Sequence, residues 1–402
     1  SLGEAEGLRS RRWYSRWLPL RSLTLLLGYD RHMSNAQARA QAVIDDLTGR
    51  GIERGLQVAA YLNGELVVDA WSGLADAETG RMVNGDTLFV TFSCTKGITA
   101  TVVHLLAERG TLDYDLPIAH YWPEFASGPA AAVKAAITVR QALCHTAGLP
   151  HLPPGITRDG LLDTDRMRVW LEQAEPLWAP GALSGYHAVT FGNIIGEMIR
   201  RVDGRTVGRI VAEEIARPLG VSDSLFIGAR RDVFRRVARH ESAPPNPELP
   251  IPPLDALIFK AIPPQFYPMH IGANDPNAWV TELPASGGLM SARALARMYA
   301  ALIGTPVDGG PRLLPGIRVA IATQVQTSEV DAALGTPTPK LLGWFGGYPG
   351  SGMSASPTAF GHPGAGGNSG FADPDCGLAL AVTKNRMVSP TRPEQGSARI
   401  IE

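Results

Sequence analysis

Phe92-Ser93-Cys94-Thr95-Lys96-Gly97 is the stretch on which the reading of this chain turns. It lies where an extended apolar run, Leu88-Phe89-Val90, gives way to a helical pattern. Ile98, Val102, Leu105 and Leu106 recur at spacings of three and four, and Gly110 follows where a helix stops. Ser93 therefore opens a helix, and Lys96 sits one turn on, on the same face. A serine hydroxyl is a poor nucleophile unless a base lies within hydrogen-bond reach. A lysine serves as that base only when burial or a nearby cation lowers its pKa. The helix N-terminus adds free N–H groups where an oxyanion would form. The competing reading is a capping serine followed by a surface lysine, and the hexapeptide alone does not decide between them.

Working outward, the 402 residues are 45% hydrophobic and 19% charged, with a net charge of −1. That is an ordinary globular balance with a large core. No basic excess points to nucleic acid or an anionic membrane surface. Cys94, Cys144 and Cys376 form no disulfide framework and have no metal spacing. HExxH, CxxC, a phosphate-binding glycine loop and G-x-S-x-G are all absent, so neither a metal nor a cofactor is expected.

Residues 1–32 stand apart. Arg9, Arg11, Arg12, Arg16 and Arg21 are interleaved with Trp13, Tyr14 and Trp17 ahead of a leucine-rich Leu23–Leu27. The apolar part is too short to span a bilayer, and no small-residue cleavage site follows. The segment reads as a basic surface helix or a cloning-derived leader, with Met33-Ser34-Asn35 as a natural start. The expectation is one domain over 33–402, without an integral membrane segment and cytoplasmic. A homo-oligomer is left open.

Asn35–Leu47 reads as a helix. Gln57–Tyr61 and Glu65–Ala70 then form a hairpin about Asn63-Gly64. Thr138 and Gln141 have capping-box spacing. Phe191, Ile194, Ile195, Met198, Ile199 and Val202 mark an amphipathic helix closed by Gly204. Thr206–Leu219 and Ser291–Ile303 read as further helices. Prolines crowd residues 240–267, which read as an irregular loop over a site. Thr358–His362, Asn368–Ala372 and Leu378–Lys384 read as three short strands. Strands at both ends with helices between imply an α+β fold: one antiparallel sheet built from both termini, with an inserted helical lobe. The sheet lobe is expected over about 33–95 and 280–402, and the helical lobe over about 96–279.

Four elements occur in order: Ser93-Cys94-Thr95-Lys96, His145-Thr146-Ala147-Gly148-Leu149 about fifty residues on, Tyr186 before an amphipathic helix, and Gly361-His362-Pro363-Gly364 on a late strand. This order resembles the serine β-lactamase and penicillin-binding superfamily, and within it the family VIII carboxylesterases. The resemblance runs from about residue 35 to about 390. It implies the β-lactamase/transpeptidase-like fold, with N- and C-terminal helices flanking the sheet, although the chain beyond Lys384 is short and proline-containing for the C-terminal one.

The resemblance also implies roles. Ser93 forms the acyl-enzyme, Lys96 accepts or relays its proton, and Tyr186 passes the proton to the leaving group. The N–H groups of Ser93 and Ala365 form the oxyanion hole, and Gly364 permits close approach. His362, His187 and Trp344 are placed at the substrate, Trp344 within a Trp344-Phe345-Gly346-Gly347 element similar to W-x-G-G of the esterases. On its own, Tyr186 reads first as an aromatic anchor at a loop–helix junction, while His362 reads equally as a satisfied strand-edge imidazole and Trp344 equally as a core residue. Cys94 points away from the Ser–Lys face, and His145 reads as a turn residue.

Two departures matter. His362-Pro363-Gly364 replaces the K-T-G of β-lactamases, and Ala188 stands where they place an asparagine. The expectation is therefore a serine hydrolase of small carboxylic esters with short acyl chains. β-Lactam hydrolysis, D-amino-acid peptide or amide hydrolysis and acyl transfer are the alternatives on the same fold, and a non-catalytic scaffold is the alternative of another class.

Overall fold

The hairpin predicted about Asn63-Gly64 forms the middle of the molecule: β1 (Gly55–Leu62) and β2 (Glu65–Asp76) run antiparallel. Asn63 and Gly64 both take positive φ, 51° and 87°, as a two-residue turn between twisted strands requires. The structure is a computed structural model, and it describes residues 33–243, 252–304, 306–349, 351 and 353–387.

The expected C-terminal strands are β8 (Phe360–Gly364), β9 (Asn368–Asp373) and β10 (Leu378–Lys384). With edge strands β3 (Arg81–Met82) and β7 (Phe345–Gly346) they complete a seven-stranded antiparallel sheet, ordered β3-β2-β1-β10-β9-β8-β7. Both ends of the described chain thus meet at the β1–β10 pair. A second small sheet, ordered β4-β6-β5, joins β4 (Phe89–Val90), β5 (Leu225–Ile227) and β6 (Gly288–Met290). Strands of two or three residues show no alternation, so the sequence pattern gave no sign of this sheet as a unit.

β1 is buried on both faces. Leu56, Val58 and Ala60 pack with Ile44 of α1 (Met33–Gly49). Ala59 and Tyr61 join the larger core with Leu295 and Tyr299 of α6 (Ala292–Ala300). The central helix α2 (Cys94–Glu108) is buried from Cys94 to Ala107, so it runs through the core rather than over it. The predicted capping box forms at α3 (Val139–Leu143): Gln141 N donates to Thr138 Oγ1 at 3.2 Å, and Thr138 N donates to Gln141 Oε1 at 3.0 Å. The amphipathic helix is α5 (Thr190–Asp203), after the surface helix α4 (Thr164–Gln173), and it ends on Gly204 at φ 83°.

One expectation needs adjustment, and others fall partly outside the described residues. The helix predicted over Thr206–Leu219 divides into an α turn, Val207–Ile210, and a wider π turn, Val211–Ala216. The sheet face opposite α1 is covered by α6 and α2; the C-terminal helix expected to pack on the sheet falls in residues 388–402, outside the described residues, as does the segment 1–32. Of the proline-rich stretch, residues 244–251 are also outside. Its later part folds back on the site: Leu152 N donates to Lys260 O at 3.1 Å, and Ala261 and Ile262 pack with Tyr186.

Candidate active site

The Ser93 turn is set by backbone shape. Thr91 N donates to Gly288 O at 2.9 Å, tying the end of β4 to β6. Phe92 then takes φ 49°, the left-handed region that costs a bulky residue roughly 1–3 kcal/mol. This reversal starts α2 at once, with Ser93 as its first flanking residue. Gly97 closes the motif for a steric reason: a Cβ there would stand 2.1 Å from the Tyr299 hydroxyl.

Ser93 does not cap α2; its side chain makes no capping bond. Its Oγ instead accepts from the Tyr186 hydroxyl at 2.7 Å, and lies 3.3 Å from Lys96 Nζ. Ser93 is only partly buried, whereas Lys96 is wholly so. Lys96 Nζ donates to two carbonyls, Ala188 O at 2.7 Å and Ala285 O at 3.0 Å. One belongs to the segment leading into α5 and the other to the segment before β6, so three parts of the chain converge on one amine. Burial pushes the Lys96 ammonium well below the ordinary lysine range, and the Lys340 charge pushes the same way against an opposing effect from Cys94. Burial raises the Tyr186 phenol above its ordinary range, only partly offset by its bond to Ser93. At rest the pair is therefore an amine that loses its proton readily and a phenol that keeps its own.

The β8 strand closes the other side. A Cβ on Gly364 would lie 2.2 Å from Thr91 O and 3.0 Å from Cys94 Sγ, so only glycine lets this strand pass the Ser93 turn. Half-buried Ala365 follows at once, its carbonyl held by Asn368 Nδ2 at 2.9 Å.

The profile of the Beta-lactamase family matches residues 40–402. The chain belongs to the β-lactamase family. It is 36% identical over 353 residues, 84% of this chain and 78% of the relative, to "Esterase/beta-lactamase LipL" of Mycobacterium tuberculosis. Among solved structures it is similar to a family VIII carboxylesterase, with 32% identity, a TM-score of 0.82 and 91% and 96% of the two chains covered. It is equally similar to a penicillin-binding protein homologue from Caulobacter crescentus, with 33% identity, a TM-score of 0.81 and the same coverage.

Several residues of this β-lactamase-family chain lie elsewhere than the sequence suggested. His187 does not face a substrate. It is buried, its Nε2 accepts from Leu149 N at 2.9 Å, and its Nδ1 donates to Gly185 O at 2.7 Å. Both ring nitrogens are used in clipping two loops together, and burial lowers its pKa to about 4. Trp344 is not a pocket wall. It is fully buried, and its Nε1 donates to Gly97 O at 2.9 Å between the rings of His104 and Phe360. Its neighbour Phe345 is the residue near the site, with ring centroids 5.9 Å from Tyr186 and 4.3 Å from His362. His362 sits behind Tyr186 rather than at a substrate surface: it is 1% exposed, and Nδ1 donates to Pro363 O at 2.7 Å. Burial, then the Lys96 charge, hold it neutral by pushing its pKa well below the ordinary value. Cys94 is buried and its thiol pKa is raised by that burial. His145 is a turn residue at φ 61° whose Nδ1 accepts from His187 N at 3.1 Å.

The sequence reading missed Asp331 and Lys340. Both are fully buried, with Lys340 Nζ 3.1 Å from Asp331 Oδ2. Asp331 Oδ1 accepts from the amides of Tyr186 at 3.0 Å, Ala333 at 2.9 Å and Leu334 at 3.0 Å. Lys340 Nζ stands 3.7 Å from the Phe345 ring centroid and 5.7 Å from that of Tyr186. The one available signal was an aspartate and a lysine bounding Ala332–Pro339, a stretch with two prolines and a glycine.

Proposed function

We propose that the chain hydrolyses small carboxylic esters, short acyl chains favoured, through an acyl-enzyme on Ser93. The observation that carries this is the contact set at Ser93 Oγ, with an amine of lowered pKa on one side and a phenol on the other. The relative named esterase/β-lactamase and the solved family VIII carboxylesterase support the same reading.

A neutral Lys96 amine has two N–H bonds, and the carbonyls of Ala188 and Ala285 take both. Its lone pair is then left for the Ser93 hydroxyl. Ser93 Oγ attacks the ester carbonyl as its proton passes to Lys96 Nζ. The amides of Ser93 and Ala365 stabilise the oxyanion; one such donor is worth about 3 kcal/mol in comparable sites. The Tyr186 phenol gives its proton to the departing alkoxide and recovers one from Lys96, which is now an ammonium. Water then repeats the sequence on the acyl-enzyme, with Lys96 as base. No step calls for a metal.

Esters are favoured over β-lactams because three polar contacts are missing. Pro363 has neither a hydroxyl nor an N–H for a ring carboxylate, His362 is buried and neutral, and Ala188 has no amide. At roughly 1–3 kcal/mol for each bond to a charged or buried group, the deficit amounts to orders of magnitude in rate. The test is a panel of p-nitrophenyl esters of increasing chain length, with nitrocefin and a D-alanine amide alongside. Acetate and butyrate esters are expected to exceed nitrocefin in kcat/KM by at least a hundredfold. Nitrocefin turned over as well as either ester would overturn the reading in favour of a β-lactamase.

A further inference from the structure

We propose that the buried Asp331–Lys340 pair is a positioning device for the Tyr186–Lys96 site: Asp331 fixes the Tyr186 backbone, and Lys340 places a positive charge that acts on the Lys96 amine. The inference rests on the ester-hydrolase reading and assigns that site a charge it needs.

The pair is poorly explained as structure alone. Two charges removed from water are rarely better than an apolar pair of the same volume. A lysine buried purely for structure gives its protons to acceptors, as Lys134 does, donating to Leu171 O at 2.6 Å and Glu172 O at 2.8 Å. Lys340 Nζ makes no aligned hydrogen bond among the described residues. It has Asp331 Oδ2 on one side and the faces of two aromatic rings on the other. One of those rings is Tyr186, the residue whose amide Asp331 holds. The contacts are thus not scattered; Asp331 holds the Tyr186 amide and Lys340 stands 5.7 Å from the centroid of its ring.

The charge has a use. A lysine that must be neutral gains from a second cation nearby; on the Tyr186 phenol the pair acts the other way, because the Asp331 charge raises its pKa. Lys96 Nζ is 4.9 Å from the same Tyr186 centroid, and the Lys340 charge acts on that amine, helping to lower its pKa. The other groups facing Lys96 are Ser93 and Cys94 of its own turn, Tyr186, and the imidazoles of His145, His187 and His362. Burial keeps all three imidazoles neutral near pH 7 and raises the Cys94 thiol. Lys340, with the Asp331 carboxylate on its far side as counter-charge, is therefore the cation that acts on this amine. Burial lowers its own pKa to about 8, with Asp331 opposing, so it stays charged across neutral pH.

The test is Lys340→Met, with Lys340→Arg beside it. Both are assayed on p-nitrophenyl acetate from pH 5 to 10, and the fraction of competent protein is counted by saturating phosphonate labelling of Ser93. Lys340→Met is expected to lower kcat per labelled site roughly 10- to 100-fold with KM within threefold, the size of a charge acting over several ångströms at an effective dielectric near 20. Removing a cation makes the Lys96 ammonium easier to form, so its pKa rises. The acidic limb of the rate profile then moves to higher pH, by about one unit. Lys340→Arg, where it labels, is expected to return the limb towards its original position. An unmoved limb and an unchanged kcat per labelled site in Lys340→Met would overturn the proposal and leave a scaffold pair. Failure of the underlying reading looks different: the unaltered protein would then neither label at Ser93 nor cleave the ester. If it labels without cleaving, the pH dependence of the labelling rate is the same test.

Discussion

Two lysines are buried against Tyr186, and the chain treats them in opposite ways. Lys96 has no carboxylate partner among the described residues and lends its N–H bonds to two backbone carbonyls. Lys340 has Asp331 and makes no aligned hydrogen bond among the described residues. A buried amine without an anion gives up its proton, because nothing offsets the lost hydration. A buried ammonium with a carboxylate keeps it. Burial on its own would raise the Asp331 carboxyl, but the Lys340 charge and the amides of Leu334 and Tyr186 outweigh it and hold the pKa low. Burial alone thus does not say what a lysine does; the presence of an anion separates an amine that sheds its proton from one that keeps it.

The largest effects expected lie on the Lys96 side. Ser93→Ala and Lys96→Ala are each expected to lower kcat by about a millionfold if nucleophile and base act as a unit. Single-turnover and steady-state rates on p-nitrophenyl butyrate check this, with Ser93→Ala also losing all phosphonate label. A label on Cys94 would break the assignment. Tyr186→Phe comes next: a lost proton donor is worth roughly 10²–10⁴ in kcat, with KM little changed. If Tyr186→Phe keeps near-normal turnover, the contrast between the two lysines loses its common target.

A smaller effect concerns support rather than chemistry. Trp344→Phe removes the donor to Gly97 O and is expected to cost about 1–3 kcal/mol of stability, measured by urea unfolding. Its kcat per labelled site should stay within a few-fold. A much larger loss of kcat with unchanged stability would return Trp344 to the substrate pocket.

What the sequence made legible was local or periodic. Ser93 and Lys96 are one turn apart, Asn63-Gly64 fixes a hairpin register, and Thr138 and Gln141 announce a helix start; each signal lies within four residues. The order of strands and helices then left few topologies open. The positions of His187, His362 and Trp344 were not legible because loops and short edge strands carry no period, so nothing says which way a side chain turns. Trp344 and Phe345 are neighbours at the start of the edge strand β7, yet the first is in the core and the second near the site. Asp331 and Lys340 were hidden for another reason. Their meaning lies in Tyr186, 145 residues from Asp331 in sequence, and no spacing rule reaches that far.

The smallest effect expected sharpens the comparison most cheaply. His362 is as buried as Lys340, and its ring lies 6.1 Å from that of Tyr186 by centroids, yet burial pushes its pKa well below the ordinary value and leaves it neutral near pH 7. Its Nδ1 gives its proton to Pro363 O, and an asparagine amide offers the same donor. His362→Asn therefore changes volume and leaves charge alone. Lost packing against Phe345 should lower Tm by a few degrees, about 1–2 kcal/mol for a modest cavity, and kcat should fall less than tenfold. The acidic limb of the pH profile should not move, because a neutral group has been exchanged for a neutral group beside Lys96. Lys340→Met, at a similar distance from the same tyrosine, should move it. If His362→Asn shifts the limb by as much as Lys340→Met does, the shift follows from disturbed packing around Tyr186, and the fixed charge on Lys340 is not its cause.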